Sequence, residues 1–378
     1  MISLKKIVML VTNDHFPDDI RVFKEAVTLS KNFRVSVIVW DRTGLGKKQE
    51  VLPEGIEIFR VKVKSIPSVF SDFVVRLPIF WLLSVILLLK LRADAIHCHD
   101  FDTLPIGVSM KFIAPKIKVI FDSHEHYPSM ISDSVPGLVT KAVGFLFVTL
   151  PRLSDGVIVV NGYLGQFFSK CKNVTVVMNT PPLDELQAVN CSTAKKSDTF
   201  TIFYFGVLSK ERGIYTLTRM AEKLPNVSLI IAGDGPEKAG IMEISRTHSN
   251  IKYKGWISYP QIIETMRSSD LIPILYSSNL LNNRMVTPNK LFLAMSLGKP
   301  VVVSKGSLAE QIVVAEKVGF SIDENNLLEL ERIINLLLND NSETTTICEN
   351  GKKAVRTTYN WGLMEERLKK LYGKILKE

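Results

Sequence analysis

Four of the six histidines stand as two His-x-His pairs, His97/His99 and His124/His126, with Asp100, Asp122 and Glu125 close by. On extended backbone alternate side chains share a face, so these groups offer a nitrogen–oxygen set of the kind that holds zinc. The same spacing also arises when histidines are satisfied by carboxylates at a polar cleft. Further along, the stretch Gly206 to Gly213 places a glycine, Ser209, Lys210 and Arg212 ahead of a helical pattern starting near Ile214. That loop suits an anion, because unpaired helix N–H groups and Arg212 converge there. Gly233-Asp234-Gly235-Pro236 makes a second tight turn. No Gly-x4-Gly-Lys-[Ser/Thr] loop occurs, and position 238 is lysine where Gly-x-Gly-x-x-Gly needs glycine. ATP hydrolysis and NAD binding both lose support.

The elements that must hold these residues read as strands alternating with helices. Short β-branched runs occur at Ile7–Val11, Val35–Val39, Ile56–Val61, Ala95–Cys98, Val119–Phe121, Val157–Val160 and Val174–Val177. A second series follows at Thr201–Phe205, Ser228–Ala232, Ile251–Tyr253, Leu271–Leu275 and Val301–Val303. The gaps leave room for helices, which is the pattern of parallel α/β sheets. Asn179-Thr180-Pro181-Pro182 and the polar stretch after it have linker composition. The spacing predicts an N-terminal domain over 1–179, a linker over 180–199 and a C-terminal domain over 200–359, with a final helix near 360–378. In doubly wound sheets ligands sit beyond the strand carboxyl ends, and both the histidine pairs and the glycine turns fall there.

The chain has 378 residues, of which 46% are apolar and 22% charged, so disorder is excluded. Its net charge of +9 favours an anionic partner. That charge is spread along the chain without a basic–aromatic stacking motif, which disfavours nucleic acid. The four cysteines, Cys98, Cys171, Cys191 and Cys348, lie far apart and signal neither a zinc ribbon nor a disulfide framework. A reducing compartment fits that usage. Five apolar residues at Ile7–Val11 are too few for a signal-peptide core and read as a first strand. The run Leu77–Leu89 would be roughly 20 Å long as a helix, against about 30 Å for a bilayer core. It is therefore expected not to span. Together with 142–150, it reads either as buried helix or as an interfacial surface edged by Arg76, Lys90, Arg92, Lys141 and Arg152.

In order and spacing these residues resemble glycosyltransferase family 4, among the retaining glycosyltransferases of the GT-B fold. The N-terminal marks are Asp19-Ile20-Arg21-Val22 with Glu25-Ala26, His99 to Leu104, and Asp122 to Glu125. The C-terminal marks are Gly206 with Arg212-Gly213-Ile214, Ala232 to Pro236, Lys254-Gly255-Trp256, and Pro288 to Phe292 running into Ala294-Met295 and Gly298-Lys299-Pro300. The resemblance implies two Rossmann-like doubly wound α/β domains facing each other across a cleft. It implies a nucleotide-sugar donor held by the second domain at Gly206, Ser209, Gly233, Gly235, Trp256, Arg284, Pro288, Asn289 and Lys290. It implies an acceptor side at Asp19, Arg21, His99 and Asp100, a catalytic pair in His124 and Arg212, and no required metal or other cofactor. Charge on the departing nucleotide would be stabilised by preorganised donors. Three positions depart from the pattern: Val207 replaces an arginine, while Leu293 and Met285 replace two acids. Arg284 and Lys290 are the candidates for the missing positive charge. The usual N-terminal glycine loop is replaced by residues 13–17.

The activity so implied is a hexosyltransferase of surface polysaccharide or glycolipid synthesis. It would use a glycan or lipid-linked acceptor on the cytoplasmic face of an anionic membrane. Val207 and Leu293 keep open a second reading, a catalytically weak subunit that scaffolds an active partner.

Overall fold

Parallel strands buried on both faces need continuous apolar runs, and those runs become the strands of this chain. The structure is a computed structural model and describes residues 4–13, 16–66, 70–132, 135–183 and 199–377. The expected linker falls largely on 184–198, and the replaced loop includes Asp14 and His15; these residues lie outside the described ones. The chain divides into two compact units, Met1–Asn179 with Leu363–Glu378, and Thr180–Gly362.

In the first unit the strands are β1 (Lys6–Val11), β2 (Arg34–Asp41), β3 (Gln49–Val51), β4 (Glu57–Lys62), β5 (Ala95–His99), β6 (Lys118–Ser123), β7 (Gly156–Val159) and β8 (Val174–Val176). They make one sheet in the order β3-β4-β2-β1-β5-β6-β7-β8, parallel throughout except where β3 pairs antiparallel with β4. Without β3 this is the doubly wound pattern, whose order reverses between β1 and β5 and opens a crevice at their carboxyl ends. Four helices matter here: α1 (Ile20–Ser30), α2 (Phe70–Leu91), α3 (Leu104–Ile113) and α4 (Gly137–Thr149). The core joins β-branched strand residues to an aromatic cluster of Trp40, Phe80, Phe121, Phe147 and Phe168.

The second unit has β9 (Phe200–Phe205), β10 (Val227–Ala232), β11 (Ile251–Tyr253), β12 (Ile272–Ile274), β13 (Val301–Ser304) and β14 (Gly319–Ile322). Two three-stranded parallel sheets, β11-β10-β9 and β12-β13-β14, are linked by a single bridge from Ile202 to Leu271. Together they give the six-stranded doubly wound order 3-2-1-4-5-6. Helix α5 (Asn289–Ser296) belongs to this unit. Most of α6 (Trp361–Leu376) belongs to the first, where the Tyr372 hydroxyl and His97 Nδ1 share a hydrogen bond of 2.9 Å.

Two expectations need correction, the length of the apolar helix and the state of the cysteines. Helix α2 has 22 residues, and its stretch Ser71–Leu91 is long and apolar enough to cross a membrane by length and composition. The polar residues Ser71, Asp72 and Arg76 disguise its first turns. Asp72 instead anchors the start by accepting the Ile66 N–H at 2.8 Å. Nor is α2 simply a buried helix, since only 22% of its most apolar window is covered. Phe80 and Leu88 enter the core while Val75 and Leu82 face outward. The second correction is at Cys348, which is disulfide-bonded, whereas Cys98 and Cys171 are free thiols. Separation along a chain carries no information about distance in a fold.

Candidate active site

In the second unit, β9 and β10 end side by side, and each turns on glycine. Gly206 and Gly233 both have φ in the left-handed region, at 127° and 135°. A Cβ on Gly233 would lie 1.9 Å from the Gly206 carbonyl oxygen, so no other residue fits there. Gly235 is also pressed on Leu208, where a Cβ would lie 2.5 Å from the carbonyl oxygen. The pinned turns leave a pocket of about 280 Å³ lined by Phe205, Gly206, Val207, Gly233, Trp256 and Ile262 among others. Its lining is largely apolar, and Trp256 is 78% exposed, as a surface for a flat ring would be.

Beside this pocket two cations share an aromatic shelf that sequence reasoning missed. The Arg212 guanidinium lies 3.9 Å over the Tyr276 ring, and Lys290 Nζ lies 5.5 Å from the same ring. Arg212 is fixed by a short turn over Lys210–Arg212, whose last N–H bonds to Ser209 O, and Gly213 then starts the helix Ile214–Lys223. Lys290, near the start of α5, donates to Phe205 O at 2.5 Å. Burial, together with Arg212, holds its ammonium below the ordinary lysine range against the pull of Tyr276. A Cβ on Gly206 would lie only 3.4 Å from Lys290 Nζ, so the lysine sits under the glycine turn. Pro288 is the buried N-cap of α5 and Asn289 is exposed. Arg284 points outward from a short helix, Leu281–Met285. Leu293 and Met285, at the positions of the two missing acids, are buried core residues. Tyr276 lies two residues past the end of β12, and its place at a strand carboxyl end was the one available signal.

In the first unit the carboxyl ends of β5 and β6 bring His97, His99, Asp122 and His124 together. Arg21 of α1 reaches in and grips Asp122 with two N–H···O bonds, at 2.7 and 3.0 Å. The same guanidinium lies 3.1 Å from Glu25. Donor atoms of Glu25, His97, His99 and Asp122, all buried, lie within 4.8 Å of one another, a set that could hold a metal ion. Arg21 already brings a cation to its two carboxylates. Burial and Asp122 raise Glu25 to about 8, against the pull of Arg21 and His124. Burial lowers both His97 and His99, the latter to about 3. His126, the other half of the second pair, bonds to Ser129 instead.

His124 is the member of this group that reaches the surface, with its side chain 18% exposed. Its Nδ1 lies 3.2 Å from Asp100 Oδ2, and its Nε2 lies 3.1 Å from both Asp122 Oδ2 and His99 Nδ1. Burial opposes its charge, but Asp100 and Asp122 outweigh burial and raise it to about 10. At neutral pH it is a clamped imidazolium and not a base. Arg21 and His99, expected on the acceptor side, are 4% and 1% exposed and lie behind this ring. Because their partners sit on other elements, no sequence pattern could show that they point inward. Asp19 caps α1, accepting from Val22 N and Asn13. Asp100 is partly exposed, with φ at 62°.

The clamp has a consequence for pH. A group whose pKa rises on folding stabilises the fold fully below its unfolded value and loses that effect as pH rises through the folded one. For His124 the loss runs from about 6.5 through about 10. Thermal melts of wild type should therefore fall over that window, and His124→Asn should flatten the fall. Parallel curves for the two proteins would contradict the clamp.

Residues 190–354 match the family model described as Glycosyl transferases group 1, which is less than half of the chain. The capsular polysaccharide biosynthesis glycosyltransferase CapM of Staphylococcus aureus is 27% identical over 193 residues, 48% of each chain. This chain thus spans about half the length of that relative. Among solved structures, sucrose-phosphate synthase from Thermosynechococcus elongatus aligns with a TM-score of 0.79 and 15% identity, over 99% of both chains. Anabaena Alr3699/HepE in complex with UDP-glucose aligns with a TM-score of 0.70 and 17% identity, over 98% of this chain and 99% of that one. The chain has the GT-B fold of glycosyltransferases, and its match to the Glycosyl transferases group 1 model falls within the second unit.

Proposed function

We propose that this protein is a retaining family 4 glycosyltransferase that moves a sugar from a nucleotide-diphosphate donor to a lipid-linked glycan. The observation that carries the reading is the second unit's pocket, where an apolar slot for a ring adjoins the Arg212–Lys290 cation pair. A base beside Trp256 and a diphosphate on the two cations match that chemistry, and Alr3699/HepE binds UDP-glucose in its own structure. Lys290 supplies the positive charge that an arginine at position 207 would have brought. Arg212 steadies the leaving diphosphate. In the first unit His124 meets the sugar or the acceptor, with Asp100 beside it, and no metal is needed. A panel of nucleotide sugars tested by thermal shift, with and without EDTA, checks this. A ligand at 100 times its Kd should add about 2.7 kcal/mol of stability. The stabilisation should survive chelation. A shift that disappears with EDTA would instead make Glu25, His97, His99 and Asp122 a metal centre.

The reading includes peripheral attachment to the cytoplasmic face of an anionic membrane. Its support is the apolar surface of the first unit, where Val75, Leu82 and Ile86 of α2, Phe112 of α3 and Phe145 of α4 are exposed. The cations Arg76, Lys90, Arg92, Lys141 and Arg152 edge the same helices. A helix lying in the headgroup zone keeps its Phe80–Leu88 face in the protein core. One crossing the bilayer would also strip the Trp81 Nε1 bond to Asp102 O, 2.7 Å long. Anionic vesicles should float the protein at low salt and release much of it at high salt. Leu82→Asp, on the exposed side, should weaken flotation without unfolding the chain. Indifference to lipid charge and salt would count against membrane attachment.

A further inference from the structure

The carboxyl edge of β2 in the first unit carries a cation that neither the donor pocket nor the histidine cluster uses. Arg42 follows β2 directly, and its guanidinium carbon lies 4.9 Å from the Trp40 ring and 5.1 Å from the Phe73 ring of α2. Trp40 is fully buried, stacked on Phe73 and Phe80 and bonded through Nε1 to Val63 O. The shelf under Arg42 is therefore rigid. The backbone is pinned as well, since Arg42 O accepts the Ser65 N–H at 3.0 Å.

What the guanidinium lacks is an acceptor. Its Nε is buried with no hydrogen-bond partner, and among the described residues no carboxylate oxygen lies within ion-pair distance of it. The neighbouring arginines differ: Arg60 pairs with Glu50, and Arg21 grips Asp122. Asp102 lies within electrostatic reach of Arg42, with its Oδ2 taken by Thr12 Oγ1 at 2.6 Å and its Oδ1 buried without a hydrogen-bond partner, yet neither oxygen is within ion-pair distance of the guanidinium. Exposed Lys62 and Lys64 at the end of β4 add to the positive charge of this edge. A planar fork of N–H donors, held on aromatic faces and left unpaired, is suited to a bidentate oxyanion.

We infer that Arg42 is the centre of a phosphate subsite in the first unit that holds a phosphate group of the acceptor. Two observations place this subsite with the acceptor. It lies at the strand ends that also carry Thr12, Asp100 and His124, and Arg42 is within electrostatic reach of the Tyr127 hydroxyl. It also lies where α2 starts, so the outward apolar face of that helix runs on from the bound phosphate. That layout suits a phosphate joined to a lipid, although a soluble sugar phosphate presents the same oxyanion. The inference rests on the proposed transferase reading for its acceptor, not for the anion site itself.

Equilibrium binding by the full chain tests it, comparing wild type with Arg42→Gln, Arg42→Lys and Arg212→Ala. One arm uses zwitterionic vesicles with and without a polyprenyl phosphate, a second uses glucose 1-phosphate in solution, and a third uses UDP. Arg42→Gln should weaken phosphate binding about tenfold or more in the vesicle arm, the soluble arm or both, because a charged hydrogen-bond donor is lost. Arg42→Lys should fall between that variant and wild type. Arg212→Ala should leave this phosphate binding in place, and UDP binding should be indifferent to Arg42. Binding confined to doped vesicles identifies a lipid phosphate, and comparable binding of glucose 1-phosphate identifies a soluble one. Phosphate binding that is unchanged by Arg42→Gln, or absent from wild type in both arms, overturns the inference. If Arg42→Gln melts well below wild type, Arg42→Lys decides, and wild-type phosphate affinity in that variant overturns the bidentate site. Failure of UDP to bind any variant would count against the donor pocket while leaving the Arg42 comparison intact.

Discussion

Arg212→Ala should lower turnover about thirty- to thousand-fold while leaving the fold intact, since a preorganised contact to developing charge is worth roughly 2–4 kcal/mol. The intact fold follows from geometry. Arg212 is part-buried on the face of Tyr276, and the close packing at this corner belongs to Gly213 against Leu275. Rates of nucleoside diphosphate release at saturating donor, set beside melting curves, check the expectation. Lys290→Ala should behave differently, because its ammonium is tied to Phe205 O beneath the Gly206 turn and its loss should raise KM as well. An Arg212→Ala protein with near wild-type turnover would remove that residue from the chemistry.

Asp122→Ala should destabilise the first unit by about 3–5 kcal/mol, the cost of leaving a buried charge without its partner. Arg21 is 4% exposed and would lose both of its bonds to that carboxylate. The His124 ring would lose one of the two acids that hold its proton. Hydrogen exchange of β1, β5 and β6 amides reads this unit directly and should quicken accordingly. Removing both charges, as in Arg21→Leu with Asp122→Leu, should cost less than Asp122→Ala alone. Equal losses for the single and double variants would show that the pair is not the anchor of the cluster.

The strands that build both sheets were legible because a parallel strand must be apolar on both faces, as Ile7–Val11 and Val301–Val303 are. The exceptions are short. Gly319–Ile322 has no β-branched run, and Gln49–Val51 is a polar edge piece held only by β4. The glycine turns after β9 and β10 were legible too, since only glycine tolerates the approach of Gly233 to Gly206. Burial of polar residues was not. Arg21 and His99 carry motif positions, but whether such groups face a ligand or each other depends on partners contributed by α1 and β6. Tyr276 and Arg42 lacked any motif, and their significance comes from what lies beside them. The true start of α2 was hidden by Asp72, whose carboxylate serves as an anchor for the chain ahead of the helix.

The central claim is that the pocket of the second unit binds a nucleotide sugar and the protein breaks its bond to the sugar. Release of nucleoside diphosphate by the purified chain, measured over a panel of nucleotide sugars with a membrane lipid extract as acceptor source, tests it most directly. The account predicts release from at least one donor, undiminished by EDTA and strongly reduced in Arg212→Ala. No release from any donor, although one of them stabilises the fold, would contradict it and favour a scaffold that binds without turning over.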